Sequence, residues 1–408
     1  MKNFSILLLS SIIPLTFANE STESSEYSTE NEDNEKNVRT VEDGIIYPND
    51  PYLYFVGRWD ADYVAQWAGC GFKLDFTGTS LKFVSGERSQ SPIAIAYSLD
   101  YQTLQYMNVT TGENVIVSDL EDTEHNIQFY VTNTNPVFLQ MERLRIDSGS
   151  KIHKYEPLEK YINVIGDSIS AGSCDPHEAV DSWAFLLGKA MNVEADIIAQ
   201  SGVPLRDISL YGNDHGMEYS YFMTSCPAAG MWGYISDEAY DFSKKKEPEL
   251  IISFLGTNDY GDDAKVTPDQ FLESLKNLIT RIRKIYPNNK IAVASITKDD
   301  KEWNGIVSSI VDFDDKVYYI PTYEFYRNEA PYLYPSNYHP TELGQCNLLN
   351  GMMNAITEKI GFEKQVMPNN KWGMHGNISS GIEICDNPAD DSIVYHYSYE
   401  NAGGIGAW

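Results

Sequence analysis

The chain has 408 residues, enough for two domains, and 42% of them are hydrophobic and 12% aromatic, enough for packed cores. Its 59 acidic against 30 basic side chains give a net charge of −29. That balance excludes nucleic acid and acidic membrane surfaces as partners and leaves neutral substrates open.

In chain order, Lys2 is followed by an apolar stretch from Ile6 to Phe17 and the small Ala18, the layout of a secretory signal over residues 1–18. The stretch is too short to span a bilayer and no later run is long enough, so a secreted, extracellular monomer is expected. Export permits disulfides, and the cysteines at 70, 174, 226, 346 and 385 leave one over. Residues 19–40 are rich in Ser, Thr, Glu and Asn with few apolar side chains, which predicts a disordered acidic spacer.

From 41 to 150 the pattern is one of short alternating runs. Phe72, Leu74 and Phe76 alternate with Lys73, Asp75 and Thr77, and further runs follow at Leu81–Val84, Ile93–Leu99, Val115–Leu120, Ile127–Val131 and Val137–Ile146. Turn residues separate them and no helical period intervenes, which predicts an all-β sandwich.

Residues 151–362 change period. Strand-like runs at Tyr161–Ile165, Ala195–Ala199, Leu250–Leu255, Ile291–Ile296 and Val317–Ile320 alternate with helical patterns at Ser182–Met191, Thr267–Tyr286 and Thr341–Ile360. This predicts a five-stranded parallel sheet in a three-layer α/β domain. Pro268 behind Thr267, and Pro340 behind His339, are expected in first helical turns, where a missing amide proton costs nothing. Residues 363–408 show no period, and their His and Cys spacing fits no metal site, so they form a tail of unassigned role.

Chemistry concentrates where predicted strands end. Gly166-Asp167-Ser168 follows the first strand of the α/β region, Gln200-Ser201-Gly202 the second, and Gly256-Thr257-Asn258-Asp259 the third, at the sheet edge where open α/β folds bind ligands. A serine hydroxyl there can attack if a base and oxyanion donors converge on it. Downstream, Asn337-Tyr338-His339-Pro340-Thr341 supplies an imidazole. Asp167 is expected to order the serine turn by accepting backbone amides.

These four ordered stretches resemble the SGNH (GDSL-type) hydrolases over about residues 161–361. Val56-Gly57-Arg58-Trp59 and the stretch from Trp67 to Gly78 resemble the jelly-roll module that precedes the catalytic domain in carbohydrate esterase family 2, whose members deacetylate plant polysaccharides. The resemblance implies Ser168 as nucleophile, His339 as general base and then acid, and an oxyanion hole from the amides of Ser168 and Gly202 and the side chain of Asn258. It implies no metal or cofactor, and acetylated xylan or glucomannan as substrate. Such hydrolases usually carry an aspartate three residues before the histidine; here that position is Ser336. The expectation is therefore a Ser-His dyad steered by a backbone carbonyl or by Asn337.

Trp303, Tyr338 and Tyr221 lie on segments expected to reach the cleft and to stack on a sugar, and Cys174 and Cys226 are candidates for a bridge between two of its loops. Two other functions fit less of the pattern. One is a GDSL-type lipase or arylesterase on longer acyl chains; the other is an inert secreted glycan-binding protein.

Overall fold

Alternating apolar residues fold the first half of the chain into two facing antiparallel sheets. The computed structural model describes residues 37–135, 137–234, 238–334, 339–365 and Cys385. The signal sequence, most of the acidic spacer and all of the tail beyond 365 except Cys385 lie outside the described residues. In one sheet the order runs Ser150–His153, Gly71–Gly78, Thr123–Val131, Ile93–Leu99, Gln105–Val109; in the other it runs Ile45–Ile46, Leu139–Ile146, Leu81–Ser85, Gly112–Val117. Phe72 faces Phe129 across the first sheet, and Phe83 of the second stacks on both, with ring centroids 6.1 and 5.0 Å away. Aromatic pairs at such spacings anchor a sandwich core.

The second half carries five parallel strands in the order Glu194–Ala199, Tyr161–Gly166, Leu250–Phe254, Lys290–Ala294, Val317–Ile320. The central strands are mostly apolar, as burial on both faces requires, with Asn163 and Ser253 as buried polar exceptions. Helix Trp183–Met191 starts at Ser182, whose hydroxyl accepts from Phe185 N. Helix Pro268–Ile285 starts in a capping box between Thr267 and Gln270, with Pro268 in its first turn as expected. Pro340 is a correction: helix Glu342–Ala355 is capped by the Thr341 hydroxyl, which takes the Gly344 amide, and Pro340 sits outside, bridged to Leu333. A threonine one residue on offers the side-chain acceptor that a proline lacks.

The described residues from Thr40 on form one compact unit. Polar positions Lys73 and Gln128 of strands Gly71–Gly78 and Thr123–Val131 are buried, because the α/β half covers them. Lys73 Nζ meets Glu194 Oε2 at 2.5 Å with both side chains buried, and Lys189 Nζ donates to Gln128 Oε1 at 2.8 Å. Arg58, fully buried, donates to Met223 O at 2.6 Å and lies over the rings of Tyr240 and Tyr221 at 4.3 and 5.0 Å. Trp67 Nε1 donates to Thr224 O at 2.8 Å. The sandwich thus grips the long insertion between the second and third parallel strands.

The disulfide joins Cys346 to Cys385, not Cys174 to Cys226. Cys226 is buried as a thiol, and Cys174 is exposed.

Candidate active site

Strand register brings three of the four expected blocks to one edge. Gly166 pairs with Ala199 on one side and with Phe254 on the other. Ser168, Gly202 and Asn258 follow those three residues, so all leave the sheet at the same level, over its carboxyl edge.

Ser168 opens a one-turn helix, Ser168–Ala171, and is 9% exposed. Asp167 caps it, accepting Ile169 N at 3.0 Å, which is the role expected of it. As the first residue of a helix, Ser168 has an amide that no turn of that helix can use. Burial, with the charge of Asp259 adding to it, pushes the Asp167 carboxyl up to about 7.

Gly202 sits in a turn closed by Val203 N donating to Gln200 O at 3.4 Å. Its φ of +74° is that of the third residue of a type II turn, a left-handed position that glycine takes without strain. The turn uses the Val203 amide and leaves that of Gly202. Asn258 is half-buried, and its Nδ2 donates to Val203 O at 2.9 Å. An amide nitrogen carries two protons, so this bond fixes the side chain beside Gly202 and keeps a second donor. Asp259 braces the same loop, accepting Leu205 N at 2.8 Å and Arg206 N at 3.0 Å; burial pushes it up to about 6.

His339 arrives on the loop before helix Glu342–Ala355. Its carbonyl accepts Tyr334 N at 2.9 Å, and Thr341 N donates to Tyr332 O at 2.9 Å, so the segment is pinned on both sides. The helix is tied to the serine by Gln345, which is wholly buried. Gln345 Nε2 donates to Ile169 O at 3.3 Å and Asp175 Oδ2 at 2.8 Å, while its Oε1 takes Trp183 N at 2.9 Å. Burial, reinforced by Asp181, holds the Asp175 carboxyl well above the usual range.

The sandwich also reaches this edge. Thr134 Oγ1 accepts from Ser173 Oγ at 3.3 Å, and Ser173 in turn is hydrogen-bonded to Ser201, next to Gly202. Thr134 N donates to Glu178 Oε2 at 2.5 Å. Cys174 at φ +80° and Tyr211 at φ +48° hold left-handed conformations on two of these loops, outliers that side chains keep only where surroundings impose them.

Two sugar-stacking expectations are corrected. Tyr221 is fully buried, its hydroxyl donating to Asn163 Oδ1 at 3.1 Å beneath Arg58. Trp303, 8% exposed, packs 5.3 Å from Tyr260 and 5.5 Å from Phe271, so its faces belong to the core. Asn337 and Tyr338 lie outside the described residues. Gln345 and Thr134 were missed, and Asp259 was named without a role, since each acts through a partner remote in sequence. Only the glutamine's buried place on a helix four residues past Thr341 could have hinted at a role.

Residues 164–345 match the GDSL-like Lipase/Acylhydrolase family. No curated protein sequence matches the chain. Among solved structures, a family two carbohydrate esterase from Clostridium thermocellum in complex with cellohexaose is 23% identical with a TM-score of 0.64, covering 76% of this chain and 99% of its own. A family two carbohydrate esterase from Cellvibrio japonicus is 16% identical with a TM-score of 0.65, over 80% of this chain and 99% of its own. An acetyl xylan esterase from the rumen bacterium Butyrivibrio proteoclasticus is 18% identical with a TM-score of 0.62, over 80% and 99%. At these identities the likeness is one of fold.

Proposed function

From a chain whose residues 164–345 form a GDSL/SGNH lipase-acylhydrolase domain, set behind a sandwich as in the fold of family two carbohydrate esterases, we propose a secreted esterase that removes acetyl groups from plant cell-wall polysaccharides, acetylated xylan or glucomannan. The observation that carries this reading is the convergence of Ser168, the Gly202 turn and Asn258 on the carboxyl ends of three adjacent strands.

Ser168 attacks the acetyl carbonyl as His339 takes its proton. The amides of Ser168 and Gly202, with the second proton of Asn258 Nδ2, hold the tetrahedral oxyanion, and the imidazolium then protonates the leaving sugar hydroxyl. Water, deprotonated by the same imidazole, releases acetate from the acyl-serine. Ser336 stands where such hydrolases usually carry an aspartate, so the reading is of a dyad, its histidine segment held by backbone hydrogen bonds and its helix by Gln345. A neutral substrate suits a chain of net charge −29.

The test is acetate release from acetylated xylan and acetylated glucomannan by the wild type, Ser168→Ala and His339→Ala. Each alanine variant is expected to lose about 10⁴-fold or more. Retention of wild-type rates in either variant rejects the assignment. Hydrolysis of p-nitrophenyl acetate in preference to longer acyl esters is the accompanying expectation.

A further inference from the structure

The insertion that follows Gly202 lays a continuous path from the oxyanion turn to the sandwich. A methyl group on Gly202 would stand 2.9 Å from Tyr211 Cβ, so turn and ring are in contact. The next residue, Gly212, lies directly under Met231, whose Sδ would be 2.0 Å from any side chain placed there. Met231 and Trp232 are 47% and 39% exposed, two large apolar side chains side by side at the surface. The chain then turns at Gly233, and Tyr234 N folds back onto Ala229 O at 3.1 Å. Tyr234 thereby reaches the sandwich: its ring lies 5.5 Å from that of Phe138, and its hydroxyl donates to Asp60.

At that junction a cavity of about 540 Å³ opens between the two halves of the molecule, lined by Asp60, Asp62, Arg88, Tyr234 and Glu238. The volume is that of a small-molecule cleft rather than of a water-sized void. Arg88 Nη1 is 2.5 Å from Asp62 Oδ2 and 3.5 Å from the Tyr234 hydroxyl, with the Arg88 and Asp62 side chains half exposed. A planar fork of donors beside carboxylate acceptors can bond adjacent hydroxyls on one ring.

The lining also says what does not bind. Three carboxylates against one guanidinium repel phosphates, sulfates and uronates. A divalent cation is equally disfavoured, because Asp62 is paired with Arg88, and Asp60 accepts the amides of Asp62 and Val64 at 2.9 and 2.8 Å besides the Tyr234 hydroxyl. A neutral pyranose, apolar on its C–H faces and polar at its rim, suits both the cavity and the Met231–Trp232 surface.

We infer that the junction cavity is a non-reacting subsite for a neutral polysaccharide chain, whose acetylated unit extends along Trp232 and Met231 toward Ser168. This rests on the esterase reading above and specifies its substrate as a polymer. Contacts with remote, unreacting sugars then favour polymer over small esters.

The experiment measures binding of unacetylated xylohexaose and mannohexaose to the full chain by calorimetry. It also measures the ratio of kcat/KM on acetylated xylan to that on p-nitrophenyl acetate. Arg88→Ala and, separately, Trp232→Ala are compared with the wild type. Each variant is expected to weaken binding of at least one hexaose about tenfold and to lower the ratio by a similar factor, through KM for the polymer. Unchanged binding and an unchanged ratio overturn the subsite, as does an equal fall on both substrates accompanied by a lower Tm. If hexaose binding falls as expected but the wild type releases no acetate from either polymer, the subsite stands and the esterase reading fails.

Discussion

Ser168 is placed by its neighbours in sequence, whereas the helix that follows His339 is tied down by residues remote from it. The serine follows an apolar strand directly, its helix is one turn long, and the residue before it supplies the cap at 3.0 Å. The histidine has no carboxylate three residues upstream. Its segment is pinned by Tyr334, and its helix is tied through Gln345 to Ile169, Asp175 and Trp183, 162 to 176 positions away. On the proposed reading, local chemistry orders the turn of the nucleophile, whereas the segment of a base without the usual aspartate is held by tertiary contacts, those of helix Glu342–Ala355 among them.

If serine and histidine act as one unit, the double variant Ser168→Ala/His339→Ala should lose no more acetate-release activity than either single variant, about 10⁴-fold in each case. Multiplicative losses would show that the two act separately. Asn258→Ala should cost about 10²–10³-fold in kcat on p-nitrophenyl acetate with little change in KM, as expected for a donor used in the transition state. An effect on KM alone would move Asn258 from oxyanion stabilisation to substrate binding.

Gln345→Ala tests the histidine side directly. It strips partners from the buried Trp183 amide and from Asp175, so unfolding in urea should show a loss of about 2–4 kcal/mol. kcat should fall up to about 10²-fold through misplacement of the imidazole. A stability loss with wild-type kcat would mean that the backbone bonds of Tyr334 and Thr341 suffice.

The smallest expected effect concerns pH. Asp167 and Asp259 are pushed up to about 7 and about 6 by burial, from an ordinary value of 3.8. The folded state then holds protons that the unfolded chain has released. The stability these two groups contribute is full below about pH 4 and is lost as pH rises to about 7. Asp167→Asn, which keeps the cap acceptor but cannot ionise, should flatten the Tm profile across that window. A profile identical to wild type would place the Asp167 titration elsewhere.

The two domains differ in how much of their packing the sequence reveals. Most long strands of the sandwich, though not Gln105–Val109, and all five parallel strands follow from the period of apolar residues, because burial on one face or on two writes itself directly into alternation or continuity. Lys73, however, alternates as a polar position and is buried against Glu194, as Gln128 is against Lys189. Period shows which face is polar, not whether water or another domain lies against it. Tyr221 and Trp303 fail as sugar-stacking residues for a related reason: segments that reach a cleft still spend their largest side chains on the core beneath it. Cys346 took Cys385 as its partner, an outcome that spacing leaves open, since pairing depends on which loops meet.

By itself, then, the sequence determined the alternation of the five parallel strands with the helices at Trp183–Met191, Pro268–Ile285 and Glu342–Ala355, the placing of Ser168, Gly202 and Asn258 at strand ends, and the absence of the usual acid before His339, all consequences of local chemistry. The tertiary structure alone decided that Gln345 would tie the histidine helix to the serine, that Thr134 of the sandwich would border the site, and that a polar cavity would open where the two domains meet. Those features depend on groups meeting across 39 to 176 positions of chain, a distance over which no residue pattern carries information.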